Sequence, residues 1–342
     1  MATPVPEVAE VAEVAEAPEG VPEVAELSEF PGDDSDNVSL SSYGTDYTSL
    51  KSGVLNYEYD NGRRYQSYRR GAYLFPNDED EQDRMDFLHH IYGMIFGGRL
   101  HLAPLKNFSG RVLDLGTGTG IWAMDFADEY PASHVIGNDL SPIQPGWVPP
   151  NCIFEVDDFA ANWEFNQPFE FVHGRELCGS VKDMDLLAQQ AFDNLKSGGY
   201  FELKSVSLDM FSDDNSYEER APFSQQMCDL VHEASVRFGQ PLQDLSVWES
   251  SLRAAGFVDI VADKIKIPMS PWSADPKQKE IGRYFQAMHV QAMDSYLPKL
   301  FCDVLGWSNL EVTILIARSK HELFDLSIHS YCNLYTFYGR KP

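Results

Sequence analysis

Residues 112–122 of the chain read Val-Leu-Asp-Leu-Gly-Thr-Gly-Thr-Gly-Ile-Trp, and this stretch is the most informative part of the sequence about the fold class. A short apolar strand runs into three glycines, Gly116, Gly118 and Gly120, and a helical pattern follows over 121–129. Glycine lets the backbone turn tightly and lets a ligand approach where a Cβ would collide. The first turn of the following helix points unpaired N–H groups at the same place. The stretch predicts a ligand-binding loop, with a glycine-rich turn without a ligand as the alternative.

Two phosphate-binding loops fit this stretch badly. A P-loop follows the pattern GxxxxGK[ST], and residues 112–122 contain no lysine. The dinucleotide-binding pattern GxGxxG places its third glycine five residues after the first. Here Gly120 follows Gly116 by only four residues. A nicotinamide-dependent dehydrogenase is therefore a weak alternative.

Short apolar strands alternate with helical patterns on both sides of the loop. The predicted strands cover 112–115, 134–137, 152–156, 169–173, 200–206, 258–266 and 331–338. Helical patterns cover 121–129 and 184–195. This alternation indicates βαβ units, whose strands form a parallel sheet with right-handed crossovers. We expect an α/β, Rossmann-like fold with seven strands and helices on both faces of the sheet.

The first part of the chain has a different composition. The whole chain carries a formal net charge of −27, and residues 1–60 hold 14 acidic residues against one base. The Val-Ala-Glu repeats of 2–29 match neither the helical nor the strand period. We expect a disordered acidic tail over 1–55. Because binding to a phosphate backbone depends on Lys and Arg, the overall charge argues against nucleic acid as a partner.

The remaining residues, 56–342, are expected to form one folded domain without a second independent core. An early helix is predicted to begin after Asn77-Asp78, which can cap it, and to end at Gly97-Gly98. The accessory segments that we expect are a helical N-terminal lid and two helical cap insertions, over 56–105, 207–245 and 268–327. Aromatic side chains of the last segments are candidates either for an acceptor pocket or for ordinary packing: Trp272, Tyr284, Phe285, Tyr296 and Trp307.

The cysteine spacing and the hydropathy pattern indicate the cellular compartment in which the protein is expected. Five cysteines, without any CxxC spacing, favour reduced thiols in an intracellular protein. The N-terminus lacks the basic and apolar regions of a secretory signal, and no stretch approaches the ~18 apolar residues of a membrane span. We expect a cytoplasmic protein, with the nucleus as the alternative, and neither a membrane nor a metal as a partner.

The spacing DxGxGxG after a strand resembles the first motif of class I S-adenosylmethionine (SAM)-dependent methyltransferases. This resemblance implies SAM as the cofactor, with the loop around its amino-acid part. It also implies that Asp114 organises the loop and the cofactor's ammonium end. Asp139 ends the second strand, 23 residues after Gly116, where a carboxylate can accept hydrogen bonds from both ribose hydroxyls. The alternative for Asp139 is a helix N-cap or a loop acid.

Two further groups of residues follow from the same resemblance. Asp157, Asp158 and Phe159 come after the third strand, where these enzymes hold the adenine. Asp158 is the better candidate for the exocyclic amine, and one of the two acids is expected to be a solvated loop residue. Tyr65 is a candidate for folding over the cofactor, and a core tyrosine is the equal alternative.

The end of the fourth strand lies beside the methyl group in this fold. His173 ends that strand, and it is either a general base or a hydrogen-bonded structural histidine. Glu176 is a weaker candidate for the base. A base is required only if the methyl acceptor is protonated or weakly nucleophilic.

The sequence is similar to the fungal LaeA-like methyltransferases over about 57–342. The matching pieces are residues 61–65, 73–79, 81–84, 113–122, 139–145, 178–181, 328–331 and 340–342. Some members of this family regulate secondary metabolism through protein partners, and others methylate natural products. The chain has no basic run of the kind that directs nuclear import. We therefore expect methylation of a secondary metabolite or a ribosomally derived peptide, with a regulatory protein that acts through protein partners as the alternative.

Overall fold

The computed structural model describes residues 57–60, 62–66, 68 and 75–342. The acidic tail predicted over 1–55 lies outside the described residues.

The strands are β1 (Glu58–Asp60), β2 (Arg63–Tyr65), β3 (Arg111–Leu115), β4 (His134–Asp139), β5 (Cys152–Val156), β6 (Phe169–Arg175), β7 (Leu195–Phe211), β8 (Val258–Pro268) and β9 (Tyr331–Arg340). The helices are α1 (Glu79–Phe96), α2 (Ile121–Glu129), α3 (Met184–Asn194), α4 (Ser216–Arg220), α5 (Pro222–Phe238), α6 (Trp248–Ala255), α7 (Pro276–Lys299) and α8 (Asn309–Phe324). A 3₁₀ turn (Leu245–Val247) precedes α6, and a π-helical turn (Leu300–Leu305) follows α7.

Strands β3 to β9 form one sheet in the order β5-β4-β3-β6-β7-β9-β8. The first five of these strands along the chain pair in parallel, which confirms the expected α/β fold. The last strand, β9, is antiparallel to both of its neighbours, β7 and β8. The sheet is therefore mixed at this side, which the alternation of strands and helices did not predict.

The direction of the parallel strands determines where the candidate site lies. Their carboxyl ends meet at one edge of the sheet, where α/β proteins bind ligands. The loops after β3, β4, β5 and β6 all leave from this edge. They carry the glycine loop and most of the residues that the sequence singles out.

The helix α1 has the boundaries that its capping residues predict. The Asp78 side chain accepts a hydrogen bond from the Glu81 N–H at 3.1 Å, which satisfies a free donor of the first turn. Gly97 ends the helix with a left-handed backbone (φ +65°). The helix α1 packs against α7, so the lid segment and the second cap segment are in contact.

The buried apolar side chains form clusters on both faces of the sheet and in the cap. Val112 packs with α2, whereas its neighbour Leu113 packs with α3 and α6, because successive side chains of a strand point to opposite faces. A third cluster joins α1, α5, α7 and α8. It includes Met210 and Leu334 from the sheet, so the cap is continuous with the sheet.

The strand β7 differs from the prediction over 200–206. It extends to Phe211 because β9 continues to pair with it, with Met210 opposite Cys332 and Phe211 opposite Tyr331. The first part of the predicted insertion 207–245 is therefore strand rather than helix. The rest of that insertion contains α4 and α5, and 268–327 contains α7 and α8.

Candidate active site

The glycine loop between β3 and α2 has a left-handed backbone at all three glycines. The φ angles of Gly116, Gly118 and Gly120 are +60°, +59° and +82°. Hydrogen bonds hold the loop in place: the Thr117 N–H donates to the Asn138 carbonyl at 2.9 Å. Residues with a Cβ rarely adopt this conformation, so the loop depends on glycine at these positions.

Close neighbours also explain the glycines. A Cβ on Gly116 would lie 2.8 Å from Leu177 Cδ2, and one on Gly118 would lie 3.1 Å from Met85 Sδ. At Gly120 the nearest atom would be Phe154 Cζ at 2.3 Å. The loop therefore packs tightly at Gly120, while Gly116 and Gly118 line a cavity.

Asp139 is joined to the loop. Its Oδ2 accepts a hydrogen bond from the Gly118 N–H at 2.9 Å, and its Oδ1 accepts one from the Ser141 N–H at 2.9 Å. Burial raises the pKa of this carboxyl group to about 6, although the two backbone donors favour its ionised form. Asp139 lines the same cavity as Gly116 and Gly118.

Asp114 and His173 form a buried pair beneath the loop. Asp114 accepts hydrogen bonds from Thr117 Oγ1 at 2.6 Å and from His173 Nδ1 at 2.7 Å. Asp114 thus fixes the loop from below, and burial raises its pKa to about 7.

His173 lies deep in the sheet, next to the helix that follows the glycine loop. The ring is fully buried and stacks on Trp122, with ring centroids 3.6 Å apart. Burial, together with the nearby Lys204 and Arg175, holds the pKa of His173 well below its usual range. His173 also lines the cavity, and its Nε2 has no hydrogen-bond partner in the described part of the chain. Its lowered pKa makes the ring a weak proton acceptor.

The residues after β5 lie on the opposite wall. Asp158 and Phe159 line the cavity, and the Phe159 ring is 3.5 Å from the position of a Cβ on Gly116. Asp157 is absent from the lining residues, and its Oδ1 accepts the Asp158 N–H at 2.8 Å. Of the two acids, Asp158 is therefore the one that can face a ligand.

Tyr65 does not line the cavity. It is buried at the end of β2, where Lys299 Nζ lies 4.7 Å from the centre of its ring. A role of Tyr65 in folding over the cofactor stays a prediction.

The cavity measures 410 Å³ and continues from the glycine loop to the underside of the cap. Roughly 300–1,000 Å³ is usual for small-ligand sites. We call the part under the cap the methionine chamber, because six of the ten methionines of the chain line the cavity: Met85, Met210, Met227, Met269, Met288 and Met293. Of the aromatic candidates, Phe285 and Tyr296 line the cavity, whereas Trp272, Tyr284 and Trp307 do not.

A buried ionic cluster closes the chamber between α1 and α7. The Arg84 guanidinium donates to the Glu81 carboxylate through Nε at 3.0 Å and Nη2 at 2.8 Å. The same carboxylate accepts hydrogen bonds from Ser295 Oγ and Tyr296 Oη, each at 2.8 Å. Sequence reasoning named Tyr296 as a candidate for the acceptor pocket but did not assign Glu81, Arg84 or Ser295 to the site, although the family resemblance includes Glu81 and Arg84.

His289 on α7 was also missed. It lines the cavity, and its Nε2 has no hydrogen-bond partner in the described part of the chain. Burial and the nearby Arg84 lower the pKa of His289 to about 4, so the ring is neutral at neutral pH. A single histidine in an apolar helical pattern gives no signal that would separate it from a core residue.

Metal sites and membrane spans are two further features that the described residues could contain. Among the described residues, no group of three His, Cys, Asp or Glu side chains could hold a metal ion. None of the helices in the described part of the chain has the length and apolar character needed to cross a membrane.

Comparisons with known proteins agree with this geometry. A family model described as a methyltransferase domain matches residues 87–260. The methyltransferase pytC of Aspergillus terreus is 39% identical over 296 residues, covering 86% of this chain and 91% of the relative. The secondary metabolism regulator LAE1 of Cochliobolus heterostrophus is 33% identical, covering 83% of this chain and 94% of the relative. The protein-methionine methyltransferase laeA of Emericella nidulans is 32% identical, covering 83% and 76%. The chain belongs to the LaeA-like family of SAM-dependent methyltransferases.

Proposed function

We propose that this protein transfers a methyl group from SAM to an apolar secondary metabolite or ribosomally derived peptide that occupies the methionine chamber. The observation that carries the proposal is the continuity of the cavity. One wall is the glycine loop with Asp139 and Asp158, and the other is the apolar underside of the cap. A donor and an acceptor can therefore lie in the same enclosed space.

The residues at the loop end of the cavity fit SAM. Gly116 and Gly118 line this end of the cavity with backbone alone. Asp139, Asp158 and Phe159 lie in the same wall, which supports the proposal that Asp139 accepts hydrogen bonds from the ribose hydroxyls and that Asp158 and Phe159 hold the adenine. When bound, SAM supplies a methyl group on a sulfonium, which is already an activated leaving group.

The residues at the other end fit an apolar acceptor. Methionine side chains are flexible and polarisable, so they adapt to irregular apolar ligands. The polar groups of the chamber are few, and Glu81 and Arg84 are already bonded to one another. This composition supports an acceptor with a large apolar part and a small number of hydrogen-bonding groups.

The task that remains for the protein is alignment and exclusion of water. Holding the two reactants in the correct geometry contributes roughly 7 to 11 kcal/mol in well-oriented intramolecular reactions. Helices α1 and α7 cover the chamber, and the Glu81 cluster joins them. We therefore assign to the cap the exclusion of water and the selection of the acceptor.

Mass spectrometry of metabolites from a gene-deletion strain tests this function. We expect one compound to disappear and a precursor lighter by one methylene to accumulate. Reintroducing the wild-type gene restores the compound. An unchanged metabolite profile in the deletion strain would contradict the proposed function.

Relatives named as secondary metabolism regulators favour a second candidate function, regulation through protein partners. Transcript measurements in the same deletion strain separate the two. Loss of transcripts from many biosynthetic clusters, without an unmethylated precursor, supports the regulator. Unchanged transcripts with an accumulated precursor support the enzyme.

A further inference from the structure

We propose that Glu176 accepts the proton that the methyl acceptor releases, and that Tyr92 positions the Glu176 carboxylate. This inference rests on the proposed methyl transfer and extends it to the chemical class of the acceptor. The acceptor atom would be the oxygen of a hydroxyl group or the nitrogen of an N–H group, rather than a thioether sulfur.

Glu176 lies between the glycine loop and the methionine chamber. It follows the last residue of β6, and its neighbour Leu177 packs against Gly116, where a Cβ would lie 2.8 Å from Leu177 Cδ2. Glu176 lines the cavity together with Met210 and Ser207 from the end of β7. A carboxylate at this position can reach an acceptor that meets a donor held by the loop.

The backbone of Glu176 is unusual. Its φ angle is +57°, in the left-handed region that residues with a Cβ rarely adopt. Such a conformation costs about 1 to 3 kcal/mol and is concentrated at functional sites. The Glu176 N–H donates to the Lys204 carbonyl at 2.8 Å, which holds the residue in this conformation. This strained backbone holds the Glu176 side chain in the wall of the cavity.

The hydrogen bonds of the carboxylate suit a proton acceptor. Tyr92 Oη donates to Oε1, and the Val206 N–H donates to Oε2 at 3.4 Å. Both donors favour the ionised form, whereas burial raises the pKa of Glu176 above its ordinary value. An ionised carboxylate with increased basicity is the form that a general base requires.

Charged and titratable groups surround Glu176 from several elements. From α1 they are Tyr92 and Arg84, and from β6 the preceding residue Arg175, whose guanidinium lies 4.9 Å from the centre of the Tyr92 ring. Arg175 also hydrogen-bonds to His89 Nδ1 at 3.1 Å. The thiols near Glu176 are Cys178 and Cys332, and burial raises the pKa of Cys178 to about 12. Neither thiol therefore competes for the proton at neutral pH.

The other acidic residues that line the cavity have different partners. Asp114 is bonded to Thr117 and His173, and Asp139 to two backbone N–H groups. Asp158 accepts the Ala160 N–H and lies on the adenine side. Glu81 is bonded to Arg84, Ser295 and Tyr296. Among the acids of this cavity, Glu176 is therefore the one placed where the reaction would occur.

In the proposed step, the methyl carbon exchanges its bond to sulfur for a bond to the acceptor atom. A bond forms between the acceptor oxygen or nitrogen and the methyl carbon, while the bond from that carbon to sulfur breaks. The electron pair of the broken bond stays on sulfur, which becomes the neutral thioether of S-adenosylhomocysteine (SAH). The acceptor's proton moves to the Glu176 carboxylate and then to solvent. A thioether acceptor has no proton to release, so it would not use Glu176.

The test uses the deletion strain, complemented with wild type, E176Q or the exposed-residue control E164Q at equal protein levels. We expect E176Q to lower the methylated compound at least about 100-fold relative to its precursor. E164Q should match wild type. Purified E176Q should bind SAH with an affinity within about twofold of wild type by calorimetry. A methylated compound at the wild-type level in the E176Q strain would overturn the inference. Failure of wild type itself to restore the compound would instead overturn the proposed function.

Y92F provides a second variant in which Glu176 is intact. Because the Tyr92 O–H favours ionised Glu176, its removal should raise the pKa of Glu176 further. With the precursor extracted from the deletion strain as acceptor, the acidic limb of the rate–pH profile should move to higher pH in Y92F. Unchanged profiles in wild type and Y92F would overturn the role of Tyr92. If Y92F acted only through a loss of packing, the variant would lower the rate by the same factor at each pH, without a shift of the acidic limb.

Discussion

The Asp139 carboxylate accepts a hydrogen bond from the Gly118 N–H at 2.9 Å, so the end of β4 and the centre of the glycine loop are directly joined. This bond fixes the distance between two parts of the cofactor site that lie 21 residues apart in the chain. It also favours the ionised form of a carboxyl group whose pKa burial raises to about 6. Affinity for the cofactor should therefore depend on pH in the range where this group titrates.

The first prediction concerns this pH dependence. In the proposed site, the ionised carboxylate would accept hydrogen bonds from the ribose hydroxyls, and protonation would remove part of this acceptor capacity. SAH affinity should decrease as the pH falls through about 6, where Asp139 becomes protonated. Calorimetry across pH 5 to 8 measures this. D139N should bind at least about tenfold more weakly at pH 8 and without the acidic decrease, and an equal decrease in D139N would assign the titration elsewhere.

The second prediction compares two glycines of the loop. G120A places a Cβ 2.3 Å from the Phe154 ring and should lower the free energy of unfolding by about 2 to 3 kcal/mol. G118A meets only Met85 Sδ at 3.1 Å, so it should cost about 1 to 2 kcal/mol but weaken SAH binding at least about tenfold. Urea unfolding and calorimetry separate the two effects. Equal SAH affinities for G118A and wild type would show that this glycine does not face the cofactor.

The third prediction concerns the ionic cluster of the cap. E81Q leaves the buried Arg84 guanidinium without its carboxylate partner and should lower the free energy of unfolding by about 3 kcal/mol or more. Replacing both residues in E81M/R84M should recover most of this loss, because no buried charge remains. Urea unfolding of the two variants is the measurement. A loss below about 1 kcal/mol in E81Q would mean that the cluster is solvated.

The fourth prediction distinguishes the two interpretations of His173. H173N removes the stack on Trp122 and should lower the free energy of unfolding by about 2 kcal/mol. Since His173 is buried and neutral, the acidic limb of the rate–pH profile should not move. Loss of methyl transfer in an H173N protein with wild-type stability and SAH affinity would restore His173 as the general base.

Local patterns in the sequence predicted the parts of the fold that depend on neighbouring residues. The glycine spacing predicted the loop over 116–120, and Asp78 and Gly97 predicted the ends of α1, because turns and caps are local. The strands of the parallel sheet followed from their apolar runs. The length of β7 did not, because its last residues are held by pairing with β9.

The chamber could not be predicted in the same way. Glu81 meets Ser295 across 214 residues, and the methionines come from α1, β7, α5, α7 and the end of β8. Such contacts depend on how the cap packs on the sheet, which no local pattern contains. The left-handed backbone of Glu176 could not be predicted from the sequence either, because a Glu-Leu dipeptide does not indicate it.

A crystal structure of the complex with SAH would show directly whether the glycine loop and the methionine chamber form one site for donor and acceptor. We expect the ribose hydroxyls within hydrogen-bond distance of Asp139, and the sulfur atom facing Glu176 and the chamber. A complex in which the ribose lies away from Asp139, or the sulfur faces away from the chamber, would contradict it.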